Sequence, residues 1–162
     1  MTNKNKEIEF GVKIKNGDEV KDYLKEISPK ERIITISRDI YKNDSKYFLK
    51  VSEENENNQS SAVFSLKEDL LALGTSEGMK VADEVDVDVS KEQLEKLVNI
   101  VSFLGFEKKS HFKKIRYQYE VEGTMVMVDE YDKVTNLEVE GETEEKVMKV
   151  VKQIPYIALE EK

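Results

Sequence analysis

The sequence predicts an α+β domain of about eight sequential, antiparallel strands with about three flanking helices, and three observations lead there. Apolar and polar residues alternate strictly in several segments: Ile8, Phe10, Val12 and Ile14 fall on one face, and Glu7, Glu9, Gly11 and Lys13 on the other. Turn residues punctuate these segments at short intervals, and strands joined by short turns pair antiparallel. At 162 residues the chain has material for one domain with a real core and too little for two, so residues 1–162 read as a single domain.

Asn16-Gly17-Asp18 ends the first strand. Asp18 reads as the N-cap of a helix carrying Val20, Leu24 and Ile27 on one side and closed at Ser28-Pro29. Strands are expected over Arg32–Tyr41 and Tyr47–Ser52, around the turn Lys42-Asn43-Asp44, and again over Ala62–Lys67. The polar, Asn-rich residues 53–60 read as a loose hairpin loop, and Leu70–Glu77 is ambiguous. Met79–Val89 alternates again, with Val81, Val85, Val87 and Val89 opposite Lys80, Glu84, Asp86 and Asp88. Ser90 followed by Gln93 makes a capping box for a helix that buries Leu94, Leu97, Val98 and Val101 and ends at Leu104-Gly105-Phe106. Phe112–Glu122, Thr124–Glu130 and Asn136–Glu140 read as strands, with turns at Gly123 and Asp132-Lys133. A last helix over Thr143–Gln153 is stopped by Pro155.

With 34 acidic against 26 basic residues the net charge is -8, which argues against a protein that coats nucleic acid, since phosphate contacts need a basic stripe. A local basic pocket for a small phosphorylated ligand is still allowed. The absence of cysteine rules out disulfides, thiolate catalysis and zinc–sulfur sites. No stretch approaches the ~20 apolar residues that span a bilayer. The first residues are polar and lack the apolar core of a signal peptide, so the expectation is a cytoplasmic protein.

Several strands carry charges of both signs on one face: Glu7, Glu9 and Lys13; then Lys80, Glu84, Asp86 and Asp88; then Lys114, Arg116 and Gln118; then Glu138 and Glu140. An open sheet with one solvated face gives this alternation, and so does a closed barrel whose polar face is the lumen.

The order of the motifs is more specific than the periodicity. Leu104-Gly105-Phe106, Lys114-Ile115-Arg116, Asp129 at the end of its strand and Glu138-Val139-Glu140 resemble the Leu-Gly-Phe, Lys-x-Arg, strand-ending Asp and closing Glu-x-Glu elements of the CYTH, or triphosphate tunnel, family. Glu7-Ile8-Glu9 looks like that family's opening Glu-x-Glu-x-Lys signature. Leu49-Lys50-Val51-Ser52 is similar to its Arg-x-Arg strand, Phe64-Ser65-Leu66-Lys67 to its Leu-Thr-x-Lys strand, and Glu84-Val85-Asp86 to an acidic pair on the next strand.

The resemblance covers nearly the whole chain and implies an eight-stranded antiparallel barrel in which acidic residues hold Mg²⁺ or Mn²⁺ and basic residues grip a triphosphate. It implies metal ligation by Glu7, Glu9, Glu138 and Glu140, further acidic lumen groups at Glu84 and Asp86, and phosphate binding by Lys50, Lys67, Lys114 and Arg116. Water would be activated by the metal or by a lumen carboxylate, a choice the sequence does not make. The implied partner is a small-molecule triphosphate (ATP, thiamine triphosphate or tripolyphosphate), with no nucleic acid, no membrane, and a homodimer left open.

The chain departs from the pattern at three basic positions: Gly11 replaces the Lys of the opening motif, Ser52 the second basic residue of Arg-x-Arg, and Ala82 the Arg before the acidic pair. A charge-assisted hydrogen bond is worth roughly 1.5–3 kcal/mol, so each loss costs about ten- to a hundredfold. Lys13 and Lys80 share a strand face with Gly11 and Ala82, two residues away, and are the candidate substitutes. Four functions stay in play: metal-dependent triphosphate hydrolysis, a class IV adenylyl cyclase making cyclic AMP from ATP, a non-catalytic barrel that binds polyphosphate or another anion, and an interaction module built on a solvated open sheet. His111 is expected in a solvated loop or at a strand edge. Tyr117 and Tyr119 are expected to pack outside the barrel. Phe48, which shares a parity with Lys50, lines the lumen or packs in a core or at an edge.

Overall fold

The computed structural model describes residues 3–68 and 78–160, so the ambiguous Leu70–Glu77 stretch lies outside the described residues. Among them are eight strands: β1 (Asn3–Ile14), β2 (Arg32–Lys42), β3 (Tyr47–Glu56), β4 (Gln59–Glu68), β5 (Met79–Val89), β6 (Glu107–Val121), β7 (Thr124–Glu130) and β8 (Thr135–Gly141). Three helices join them: α1 (Gly17–Ile27) after β1, α2 (Lys91–Ser102) after β5, and α3 (Glu144–Val151) after β8. The strands form one closed barrel in the order β1-β5-β4-β3-β2-β6-β7-β8. Closure leaves no sheet edge unpaired. No described helix is long and apolar enough to cross a membrane.

The residues gather into two compact units. The first holds the start of β1 up to Lys6, β2 from Thr35, β3, β4, β5 from Ala82, α2 and β6 up to Lys113. The second holds β1 from Glu7, α1, β2 up to Ile34, β5 up to Val81, β6 from Lys114, β7, β8 and α3.

In the second unit the main core is built from alternate strand residues, including Phe10, Ile14, Tyr119, Val126, Val128, Leu137 and Val139, against Val20 and Leu24 of α1 and Val147, Val150 and Val151 of α3. Burying each such aliphatic side chain stabilises by about 1.5–3 kcal/mol. Two helices therefore cover the apolar face of these strands. Strict alternation turns Glu7, Glu9, Glu138 and Glu140 to the other face, which in a closed barrel is the inner one.

The N-cap of α1 is Asn16 and not Asp18, which sits in the first turn with Glu19. Asn16 makes no side-chain cap bond. Its amide donates to Pro155 O at 2.8 Å, and its Oδ1 accepts from Ile157 N at 2.8 Å, so it ties the C-terminal segment to the start of the helix. Gly78, at φ +84, precedes β5; a Cβ there would lie 2.8 Å from the Phe10 ring, so both backbone and packing require glycine. Its carbonyl accepts from Gly11 N at 3.1 Å.

In the first unit α2 packs Leu94 and Val98 on Val51, Ala62, Phe64, Val89 and Tyr41. The capping box is present: Ser90 Oγ accepts from Gln93 N at 3.1 Å, and Gln93 Oε1 accepts from Ser90 N at 2.9 Å. The expected loose loop over residues 53–60 is instead a tight hairpin. Pairing runs to Glu56↔Gln59, and Asn57 and Asn58 turn the chain at φ 53 and φ 62. Asn tolerates the left-handed conformation that both central residues of such a turn need. These hairpin arms are largely solvated, so no apolar alternation marks them. The same cause hides the start of β6, which begins at Glu107 rather than Phe112 with Glu107 to His111 all exposed.

Candidate functional site

β1 and β8 pair antiparallel, with Glu9 directly opposite Glu140 and Gly11 opposite Glu138. Since side chains on a strand alternate, Glu7 joins Glu9 on the same face. The result is a group of three half-buried carboxylates, Glu7, Glu9 and Glu140, each offering an oxygen within 4.8 Å of the others. Glu140 is pushed up to about 8, first by burial and then by the negative charge of Glu7, Glu9 and Glu138. Carboxylates this close cannot all ionise without a compensating cation. A hard divalent ion with oxygen ligands at 2.0–2.1 Å places those oxygens about 3–4 Å apart, so these three are the residues that could hold one.

Glu138 is not part of that group. It accepts from an Arg116 Nη at 3.3 Å. Opposite it, a Cβ at Gly11 would meet nothing within 4 Å, so the position lacking the expected Lys has room for a side chain.

The next cross-strand row runs Arg116–Asp129–Asn136–Lys13. Asp129 is fully buried and holds both matched cations: Lys114 Nζ donates to Oδ2 at 2.7 Å, and Arg116 donates from Nε to Oδ1 and from Nη to Oδ2, each at 2.8 Å. Burial alone would raise the Asp129 carboxyl, yet Arg116 and Lys114 outweigh it and hold the group below its ordinary range. Burial would lower Arg116, and Asp129 followed by Glu138 and Glu140 more than offset this. Asp129 thus orients both matched cations of the second unit. A carboxylate directly after the apolar run Met125 to Val128, on the parity of Met125 and Met127, was the signal for it in the sequence.

In the first unit, Val51 belongs to the face under α2, so Lys50 and Ser52 turn to the opposite face. Lys50 Nζ lies 2.7 Å from Glu84 Oε1, and Lys67 Nζ lies 3.6 Å from Glu84 Oε2. The registers Lys50↔Ser65, Ser65↔Asp86 and Lys67↔Glu84 place Asp86 in the adjacent row. Desolvation raises the Asp86 carboxyl, as does Glu84, against Ser65 and Lys50. Sequence reasoning missed Arg38, which faces Ser52 across β2 and β3 and donates from Nε to Ser52 Oγ at 2.8 Å. Its parity with Ile36 and Ile40 masked it, since those apolar neighbours make that face look like core.

Lys13 and Lys80, the candidate substitutes, both carry exposed side chains, and Lys13 stands opposite Asn136. Phe48 lies in the row of Lys67 and Glu84, on the face of Lys50. His111 is on β6, with Nδ1 2.6 Å from Asp39. Tyr119 is buried in the core, its hydroxyl donating to Glu31 at 2.5 Å, and Tyr117 packs beside it under Lys21.

No family model and no curated protein matches the chain by sequence. Solved structures match across nearly all of it. The PH1819 protein of Pyrococcus horikoshii OT3 superposes with a TM-score of 0.77 at 20% identity, covering 95% of this chain and 93% of that one. A Hippeastrum protein provisionally assigned as an adenylyl cyclase, and described as having a dominant triphosphatase activity, gives a TM-score of 0.69 at 18% identity over 96% and 92%. A chain of the Schizosaccharomyces pombe Mediator head module gives 0.72 at 10% identity over 92% of each. These likenesses establish a shared fold, the closed eight-stranded barrel that the CYTH resemblance implies.

Proposed function

We propose that the chain is a CYTH-type, metal-dependent phosphohydrolase that cleaves a triphosphate with water. The observation that carries this reading is the convergence of Glu7, Glu9 and Glu140 from opposite ends of the sequence into one carboxylate group, one row from the Arg116–Glu138 pair. Those three carboxylates would hold Mg²⁺ or Mn²⁺, and Glu138 keeps Arg116 aimed beside them. The metal, when bound, supplies Lewis-acid polarisation of a phosphoryl oxygen and a more acidic water. Arg116 and Lys114 bind phosphoryl oxygens, and Asp129 fixes their geometry so that little side-chain freedom is lost on binding. Lys50 and Lys67 are proposed phosphate contacts of the first unit, and Glu84 and Asp86 its acidic groups. The Hippeastrum protein of the same fold, described as a triphosphatase, supports this choice over the cyclase.

A second reading, a binding barrel without turnover, is favoured by the missing cations at Gly11, Ser52 and Ala82. Fold alone does not decide function. The deciding experiment incubates the protein with tripolyphosphate, ATP or thiamine triphosphate, each with Mg²⁺ or Mn²⁺, and identifies the products. Metal-dependent orthophosphate release is the expected result. Cyclic AMP with pyrophosphate would replace the hydrolase with a cyclase, binding without product would leave the non-catalytic barrel, and neither binding nor product would end the triphosphate reading.

A further inference from the structure

We infer that Arg38 is an oxyanion-binding residue whose guanidinium grips a phosphoryl group of the polyphosphate; the inference rests on the polyphosphate reading above and adds a residue to it. Three features carry it. The first is placement. Val51 packs under α2, Ser52 therefore points to the opposite face, and the register Arg38↔Ser52 puts Arg38 on that face with Lys50.

The second is orientation. Ser52 is 2% exposed, and its Oγ accepts from Arg38 Nε at 2.8 Å, so a buried hydroxyl anchors the guanidinium at one edge. The third is charge. Lys50 and Lys67 are paired with Glu84, and Lys114 and Arg116 with Asp129. Arg38 is held by a neutral group, and among the described residues no carboxylate lies within ion-pair distance of it.

A guanidinium anchored through Nε still presents its two terminal NH₂ groups in a planar fork, and that fork matches two oxygens of one phosphoryl group. The small, neutral Ser52 leaves the row open for a cation supplied from the neighbouring strand. Arg38 fills that position, at a place where Ser52 omits a basic side chain. Because the hydroxyl already fixes the plane of the fork, little rotamer freedom remains to be lost on binding.

The experiment is isothermal titration of tripolyphosphate with Mg²⁺ into the full-length protein and its Arg38→Ala, Arg38→Lys and Ser52→Ala variants, with ligand-free melting temperatures alongside. Arg38→Ala is expected to raise Kd about ten- to a hundredfold. Arg38→Lys, which keeps the charge and loses the fork, should fall between Arg38→Ala and wild type, and Ser52→Ala should weaken binding a few-fold. If Arg38→Ala fails to fold, the Arg38→Lys loss carries the test. Wild-type binding that persists unchanged in Arg38→Ala, or in Arg38→Lys where only that variant folds, overturns the inference and spares the polyphosphate reading. A wild type that binds no tripolyphosphate overturns both.

Discussion

Replacing Asp129 with Ala removes a fully buried carboxylate that accepts from Lys114 at 2.7 Å and from two nitrogens of Arg116 at 2.8 Å. Arg116 keeps Glu138 at 3.3 Å, so most of the cost falls on Lys114, which is 3% exposed. Lys114 keeps the Tyr131 hydroxyl at 3.5 Å, a neutral group. Removing the carboxylate from a buried ion pair costs about 3–5 kcal/mol, a large part of the roughly 5–15 kcal/mol that holds a domain together. At about 2–4 °C per kcal/mol for a chain of this size, the melting temperature should fall by roughly 6–20 °C. Asp129→Asn should cost nearly as much, because its NH₂ turns a donor toward two cations.

The acid limb gives a second readout. The folded-state pKa of Asp129 is lowered, so its contribution is present above the ordinary value of 3.8 and is lost as pH falls through that region. The variant should therefore lose proportionally less stability on acidification. Urea unfolding at pH 7 and again below pH 3 measures both effects. A variant within 1 kcal/mol of wild type, as an order-of-magnitude bound, would refute the claim that this carboxylate compensates buried cations.

Glu140→Gln should flatten the pH dependence of the chelator-treated protein. The Glu140 carboxyl sits at about 8 against an ordinary 4.5, so the folded state binds that proton more tightly and wild-type stability falls as pH rises between those values. Melting temperatures from pH 5 to 9 check this, and a slope equally steep in the variant contradicts it. Gly11→Lys adds a cation opposite Glu138 into open space and should tighten tripolyphosphate binding about tenfold by titration calorimetry; no change would show that the missing charge is irrelevant. Asn58→Gly relieves a residue held at φ 62 and should raise stability by about 0.5 kcal/mol, read as a small rise in urea midpoint. A fall would mean that the Asn58 side chain itself supports the hairpin.

Strands with one buried face were legible in the sequence because burial imposes a period of two: β5 and β7 are found at Met79–Val89 and Thr124–Glu130, as read. Where both faces are wet the period vanishes, which is why the β3–β4 hairpin tip looked like a loop and β6 was entered late. The cap of α1 was misplaced because Asn16 serves the C-terminal segment instead of its own helix, a long-range use that local spacing does not encode. Parity also placed Glu7 and Glu9 on one face. Register then decided which partner they meet, so Glu140 joins them while Glu138 turns to Arg116. Arg38 was invisible for a related reason: its role depends on Ser52 across the strand pair, and neither residue signals the other along the chain.

On the proposed function, Glu7, Glu9 and Glu140 together hold a divalent cation. Titrating Mn²⁺ into the chelator-treated protein, with free Mn²⁺ followed by its paramagnetic resonance signal, tests it without assuming a substrate. Mn²⁺ uptake by the wild type is expected, weakened at least about tenfold in Glu9→Gln and in Glu140→Gln, since each variant removes one charged ligand. Uptake unchanged in both variants, or absent from a folded wild type, would contradict it.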